Sequence, residues 1–228
     1  MADVVLWDVG GTLVDHVMPS EDFLRRCLEP AGVSIESLHP EWIRAADDVC
    51  RRLEPTWRTE TDEERGWFEM ASILLGDLAA DRSLVSRVAR GFSRYFETYA
   101  PVPGIRNLLV ELDCAGVRQG IVSNWPPSLG NFLKHHELDG YFEVVIGSAV
   151  EGVAKPDAAI FERALSALNV TGEQCVYVGD NPEKDMEPAR RLGMRAIHFN
   201  PRGNYPVADE RSVRGLRRRL LRLLGLPL

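Results

Sequence analysis

Val4-Val5-Leu6-Trp7-Asp8-Val9-Gly10-Gly11-Thr12-Leu13-Val14-Asp15 is the stretch around which the rest of the chain is organised. A short apolar run ends on a carboxylate and breaks into two glycines. That is the pattern of a buried strand that delivers Asp8 to the rim of a sheet and then turns tightly. A carboxylate so placed is positioned as a nucleophile, because a covalent intermediate splits one difficult displacement into two easier ones. Gly10 and Gly11 let backbone approach a substrate or a metal without a Cβ in the way. Taken alone, the stretch reads more simply as an Asp at a strand-to-loop junction, so the decision rests on the segments that answer it.

Three segments do. Gly120-Ile121-Val122-Ser123-Asn124 is a second apolar strand, ending in a hydroxyl. Ala154-Lys155-Pro156-Asp157 supplies a cation in a loop, and Val176-Tyr177-Val178-Gly179-Asp180-Asn181-Pro182-Glu183-Lys184-Asp185 ends a third strand in acids. This set, in this order, resembles the haloacid dehalogenase superfamily, over Ala2 to about Asp15 and Pro103 to about Pro201. The resemblance implies an α/β fold, a doubly wound parallel sheet of Rossmann type with its active site at the carboxyl ends of the strands. It also implies a helical cap inserted after the first strand, with residues 1–15 and 100–228 forming the core domain and 16–99 the cap.

The residues between these segments read the same way. Helical signals dominate from Ser20 to Tyr99. A helix opens at Ser20-Glu21-Asp22, a second spans Pro40 to Leu53, a third starts at a Thr61-Asp62-Glu63-Glu64 capping box and runs to Leu78, and a fourth spans Ser83 to Tyr99. From Pro103, helices at 105–115, 127–136, 157–168 and 182–192 alternate with strands at 118–122, 142–146, 174–178 and 195–199. This alternation implies parallel pairing through right-handed crossovers, with Asp8, Ser123 and Asp180 at one edge of a sheet of at least five strands. In the tail from Arg211 to Leu226, Val213, Leu216, Leu220, Leu223 and Leu224 share a face, which reads as a helix docked on the core rather than on a membrane surface.

Composition narrows the class. With 228 residues and 45% hydrophobic content the chain can bury a good core and hold a smaller insertion. A formal charge of -7 argues against a nucleic-acid surface. Asp8 interrupts the first apolar run, so no signal peptide or membrane span is expected and the chain reads as cytoplasmic. Cys27, Cys50, Cys114 and Cys175 lack metal-ligand spacing and read as reduced structural thiols. Oligomeric state is left open.

By the resemblance, Asp8 attacks the substrate, and Asp8, Asp180 and the Gly10 carbonyl hold Mg2+, an oxygen-rich set suited to that ion. Asp185 is either a further metal ligand through water or the orienter of Lys155. Thr12, Ser123 and Asn124 hydrogen-bond the transferring group or the nucleophile, and Lys155 screens the charge gathered there. Gly11 and Trp125 join Asn124 as substrate-binding candidates, although Trp125 also reads as packing. His16 either replaces a missing acid or is a solvated hinge residue, and Trp42, Trp57, Trp67 and Phe68 read as cap core.

Where the family phosphatases carry an acid two residues after the nucleophile, this chain has Gly10. Among the chemistries of the resembled superfamily, the acidic pair Asp180 and Asp185 argues against a 2-haloacid dehalogenase, and the absence of lysine from Val14 to Val102 argues strongly against the phosphonate-cleaving members, which need a cap lysine for a Schiff base. The leading expectation is a phosphatase of a small phosphorylated molecule, with a low-turnover phosphate-binding protein as the alternative from another class.

Overall fold

A computed structural model describes residues 3–41, 43–45 and 56–228. By its contacts the chain divides into two units, one of residues 1–15, 100–125 and 129–228 and one of residues 16–99 and 126–128. Among the described residues the strands are β1 (Val4–Trp7), β2 (Val14–His16), β3 (Tyr99–Pro101), β4 (Arg118–Ser123), β5 (Val144–Gly147), β6 (Cys175–Gly179) and β7 (Arg195–His198). Among the described residues, the second unit includes helices α1 (Ser20–Leu28), α2 (Glu60–Leu75) and α3 (Arg82–Phe92). Those of the first are α4 (Ile105–Cys114), α5 (Leu129–His135), α6 (Ser148–Glu151), α7 (Ala158–Leu168), α8 (Glu187–Arg191) and α9 (Val213–Leu224).

Five strands form one parallel sheet in the order β5-β4-β1-β6-β7. All four residues of β1 are fully buried, as an uninterrupted apolar strand must be when both faces of a parallel sheet are covered. Val4, Leu6, Val122 and Tyr177 pack on one face with Ile160, Phe161 and Ala164 of α7 and Ala189 of α8. On the other, Trp7 Nε1 donates to Gln119 Oε1 at 3.2 Å, and Gln119 Nε2 donates to the Leu109 carbonyl of α4 at 3.1 Å. The chain runs outward from β1 through β4 to β5, then returns to the other flank of β1 for β6 and β7. Such a reversal opens a ligand-binding crevice at the carboxyl ends of the central strands.

Several features depart from the sequence expectations in this unit, among them the short helix α6, for which no helix is expected. The helix expected over 182–192 begins as a wider π turn at Pro182–Met186, in which Glu187 N–H reaches back to the Pro182 carbonyl, and becomes α-helical only in α8. Helix α9 does dock on its own unit, and Arg217 donates to both oxygens of Glu111 in α4. Its buried leucines are Leu216, Leu220, Leu221 and Leu224, with Leu221 taking the place expected for Leu223.

In the second unit, Cys27 and Leu28 of α1, Leu74 and Leu75 of α2, and Val85, Val88 and Phe92 of α3 form one apolar cluster. The capping box of α2 falls two residues earlier than expected: Thr59 Oγ1 accepts from Asp62 N–H, and the Asp62 carboxylate accepts from Thr59 N–H at 3.0 Å. α3 stops at Phe92 rather than running to Tyr99. Beyond it residues 95–98 tighten into a 3-10 turn, closed by Thr98 Oγ1 on the Tyr95 carbonyl at 2.7 Å, and Tyr99 enters β3.

β2 and β3, both expected as loop or helix, pair in a two-stranded ribbon where the chain leaves the first unit and returns to it. Residues 40, 41 and 43–45 are helical, while Trp42, Cys50 and the rest of the helix expected to Leu53 lie outside the described residues. Trp57 and Trp67 pack edge to face at 5.0 Å, consistent with core rather than ligand roles. Cys27, Cys114 and Cys175 are free thiols, and no helix of the described residues is long and apolar enough to cross a membrane.

Candidate active site

β1, β4 and β6 are adjacent and in register, with Trp7 level with Ile121 on one side and Val178 on the other. Neighbouring strands lie about 4.8 Å apart, so the residues that follow them converge without any long side chain having to reach. Asp8 leaves β1 with its side chain nearly closed off from solvent, and its Oδ1 accepts from Ser123 Oγ, the last residue of β4, at 2.8 Å. Lys155 Nζ donates to the same oxygen at 2.7 Å, to Asp185 Oδ1 at 2.5 Å and to Tyr177 Oη at 3.1 Å. Burial alone would lower the Lys155 pKa, but the Asp8 and Asp185 carboxylates outweigh it and hold the ammonium above its ordinary value. Asp8 is pushed up by burial, a shift that Lys155 opposes and Asp185 reinforces.

The backbone of this site is built to close tolerances. Gly11 has φ +78, and a Cβ there would lie 2.3 Å from Asp180 Oδ2. A Cβ on Gly179 would lie 2.5 Å from Asp185 Oδ2. Both positions therefore need glycine so that the two acids can pack against the chain. Burial first, then Asp8 and Asp185, push the Asp180 carboxyl up to about 7. Asp8, Asp180 and Asp185 each present an oxygen within 4.8 Å of the others. That is the scale on which two metal–oxygen bonds of about 2.1 Å bridge a pair of carboxylates. Three acids facing one lysine leave an excess of negative charge, so the donor set fits a hard divalent cation.

Asp185 has both oxygens engaged, Oδ1 by Lys155 and Oδ2 by the Asn181 N–H at 2.9 Å, which is the arrangement of an orienter of Lys155. Asn124 pairs reciprocally with the Lys155 backbone, its Nδ2 donating to the carbonyl at 3.0 Å and its Oδ1 accepting from the N–H at 2.8 Å. Trp125 is buried, lies against Phe132 with ring centroids 4.6 Å apart, and faces Gly10, where a Cβ would come within 3.2 Å of the indole. Thr12 Oγ1 is buried with no hydrogen-bond partner among the described residues. Such an orphan costs about 1–3 kcal/mol unless a ligand satisfies it. A cavity of about 180 Å³ is lined by Asp8, Gly10, Ser123, Trp125, Lys155 and Asp180, with Asn181 and Lys184 at its side. His16 belongs to the second unit and is stacked on Tyr99 at 3.9 Å. A larger cavity of about 710 Å³ in that unit, lined by Arg26, Arg87, Arg90 and Arg94, contains none of these site residues.

Tyr177 was not a sequence candidate. Its hydroxyl, 2.9 Å from the Val122 carbonyl and 3.1 Å from Asp185 Oδ1, accepts from Lys155 and fixes the ammonium from a third side. The one signal was a polar-tipped residue inside the apolar run Val176-Tyr177-Val178, and that run hides it.

Asp180 gives the site a pH signature. A carboxyl raised in the fold from 3.8 to about 7 binds more protons folded than unfolded between those values, so metal-free stability falls as pH rises through that window. Thermal melts in EDTA should show this fall between about pH 4 and 7, and Asp180→Asn should shed the part of the slope that Asp180 carries. A divalent cation held by Asp180 would bind more tightly as pH rises through about 7, because the proton must leave first. Equal slopes for the wild type and Asp180→Asn would refute the assignment.

The description "haloacid dehalogenase-like hydrolase" is that of a protein-family model matching residues 2–193. The haloacid dehalogenase-like hydrolase domain-containing protein 3 of Xenopus laevis is 30% identical over 152 residues, 64% of this chain and 62% of that protein. The glyceraldehyde 3-phosphate phosphatase of Pyrococcus abyssi is 38% identical over 99 residues, 43% of this chain and 42% of that protein. The chain thus spans about half the length of these curated relatives. Among solved structures, a phosphatase of the same family from Thermococcus onnurineus superposes with a TM-score of 0.66 and 25% identity, covering 96% of this chain and 98% of that one.

Proposed function

We propose that this chain, which belongs to the haloacid dehalogenase-like hydrolase family, is a magnesium-dependent phosphatase that turns over a small phosphorylated molecule through an aspartyl-phosphate at Asp8. The observation that carries the reading is the convergence of Asp8, Lys155, Asp180 and Asp185 at the carboxyl ends of β1 and β6. The phosphatase names of relatives and of a structural neighbour support it.

Ser123 and Lys155 hold Asp8 by Oδ1, which leaves Oδ2 to attack phosphorus. The new O–P bond forms as the bond to the leaving oxygen breaks, and water then attacks the acyl phosphate and returns Asp8 as carboxylate. Lys155 offsets the negative charge that accumulates on the phosphoryl oxygens. Asp8, Asp180 and the Gly10 carbonyl would hold the ion, whose chemistry is to neutralise phosphoryl charge.

A phosphate-ester panel with magnesium, beside a haloacid panel without it, tests the reading. Phosphate release that depends on magnesium is the expected result. Metal-independent dehalogenation, or stable labelling of Asp8 without turnover, would overturn it.

Gly10 cannot supply a proton, so substrates whose leaving groups need none, such as acyl phosphates or sugar 1-phosphates, are turned over best. Unlike Gly11, Gly10 does not have positive φ, so a side chain there meets no backbone strain, but it does meet Trp125. Gly10→Asp combined with Trp125→Leu is expected to raise turnover of alkyl phosphates by about 10²-fold, the low end of general acid catalysis. Aryl phosphates should change little. Equal acceleration of both would point to metal binding instead, and no gain in a folded protein would mean that the proton already comes from elsewhere.

A further inference from the structure

We propose that the segment from His198 to Arg211 is a brace that sets the metal affinity of the Asp180–Asp185 turn, with His198 and Tyr205 as its positioning residues. The inference rests on the reading of that turn as part of a divalent-cation site.

His198 ends β7 and is buried, and its Nε2 lies 2.9 Å from the Asp180 carbonyl. A carbonyl can only accept, so Nε2 carries the proton and donates. Tyr205 acts one residue later, its hydroxyl accepting from Asn181 Nδ2 at 3.0 Å. The other end of that amide is committed to the turn: Asn181 Oδ1 accepts from Glu183 N–H at 3.0 Å and Lys184 N–H at 2.9 Å, while Asn181 N–H donates to Asp185 Oδ2. The peptide unit carrying Asp180 is therefore held from behind at both residues.

The brace has its own foundations. The Tyr205 carbonyl accepts from Asn200 Nδ2 at 3.0 Å and from Arg211 Nη2 at 2.9 Å. His198 N–H donates to Asp209 Oδ2 at 2.9 Å, and the His198 carbonyl accepts from Asp209 N–H at 3.0 Å and Glu210 N–H at 3.1 Å. Asp209 in turn pairs with Arg219 of α9 at 3.0 Å. None of these contacts uses the Tyr205 hydroxyl, so removing that atom leaves the segment folded and frees only Asn181. The Asp180 carboxylate sits so close to Gly11 that small rotations of its backbone change what its oxygens can reach. Groups that orient a metal ligand from behind commonly carry 10–100-fold in metal affinity.

The test is direct titration of magnesium by calorimetry, with melting in EDTA as the second readout and Asp180→Asn as the control that loses binding. Tyr205→Phe should raise the magnesium Kd about tenfold and His198→Phe ten- to a hundredfold. Tyr205→Phe should leave the EDTA melting temperature unchanged. His198→Gln, whose amide N–H can take the place of the imidazole N–H, should bind more tightly than His198→Phe. An unchanged Kd in Tyr205→Phe would overturn the inference, as would a loss of affinity matched by an equal loss of metal-free stability. Wild-type protein that binds no magnesium would instead fail the reading of the site itself, and the inference would fall with it.

Discussion

Asp8→Asn should lower phosphate-ester turnover by on the order of 10⁴-fold or more, the scale on which nucleophile deletions act in covalent catalysts. The amide is nearly isosteric with the carboxylate but has no anionic oxygen to attack phosphorus. Its Oδ1 can still accept from Ser123 and Lys155, the two donors that hold Asp8 now. Lys155 also keeps Asp185 as a counter-charge at 2.5 Å, so the variant does not strand a buried ammonium. It further relieves the repulsion between Asp8 and Asp185 that helps to push the Asp8 pKa up. Melting should therefore shift little while turnover disappears. Mass spectrometry after rapid quench should find a phosphoryl adduct on the peptide containing Asp8 in the wild type and none in the variant. Unchanged turnover in protein free of contaminating phosphatase would remove Asp8 from the role.

Lys155→Met is expected to abolish turnover and also to destabilise the protein, by about 3–5 kcal/mol at neutral pH, the cost of removing one partner from a buried ion pair. Lys155 is the ion-pair partner of both Asp8 and Asp185, and its side chain is 3% exposed. Methionine keeps most of the volume and leaves the buried Asp8 and Asp185 carboxylates without their cation. The pH dependence separates charge from packing. Without the ammonium the Asp8 carboxyl, already pushed up by burial, ionises less readily in the folded state than in the unfolded one, so the loss should grow as pH rises from about 4 and shrink under acid conditions. Magnesium should restore part of the stability in the same variant, because a divalent cation can neutralise the acids, but not turnover. A melting deficit that is independent of both pH and magnesium would assign Lys155 to packing rather than to charge balance.

Strand ends and their chemistry are local properties of sequence, which is why so much of the core was legible. β1, β4 and β6 are short apolar runs that stop at Asp8, Ser123 and Asp180, and the intervening helices require parallel pairing. Given parallel neighbours, these residues must share an edge, while their catalytic roles are what the family resemblance implies. Local chemistry also misled where two signals competed. In sequence Thr61 reads as the helix cap because both threonines stand before acids, whereas Thr59 and Asp62 make the reciprocal bonds. The helix expected to Tyr99 ends at Phe92, where the Ser93 hydroxyl turns back to the Arg90 carbonyl, and residues 95–98 form a separate turn closed by Thr98.

What only the tertiary structure decided are contacts between residues far apart in sequence. Asp8 meets Ser123 across 115 positions and Lys155 across 147. Which atom of Lys155 faces which acid depends on strand order and loop path. The same holds for Tyr177, which looks like one more core residue until its hydroxyl is seen on Lys155, and for Trp125, whose ring covers the place a side chain at Gly10 would enter. Asn124 read as a substrate donor in sequence and turns out to pair with the backbone of Lys155, a partner 31 residues away. His198 and Tyr205 carried no sequence signal, because they act on the Asp180–Asn181 peptide from a strand and a loop that only folding brings behind it. Sequence by itself determined which chemical groups end the strands, because local geometry decides where a strand stops. Partnership among those groups was decided by the sheet, because pairing β1 between β4 and β6 is what brings distant residues within hydrogen-bonding distance.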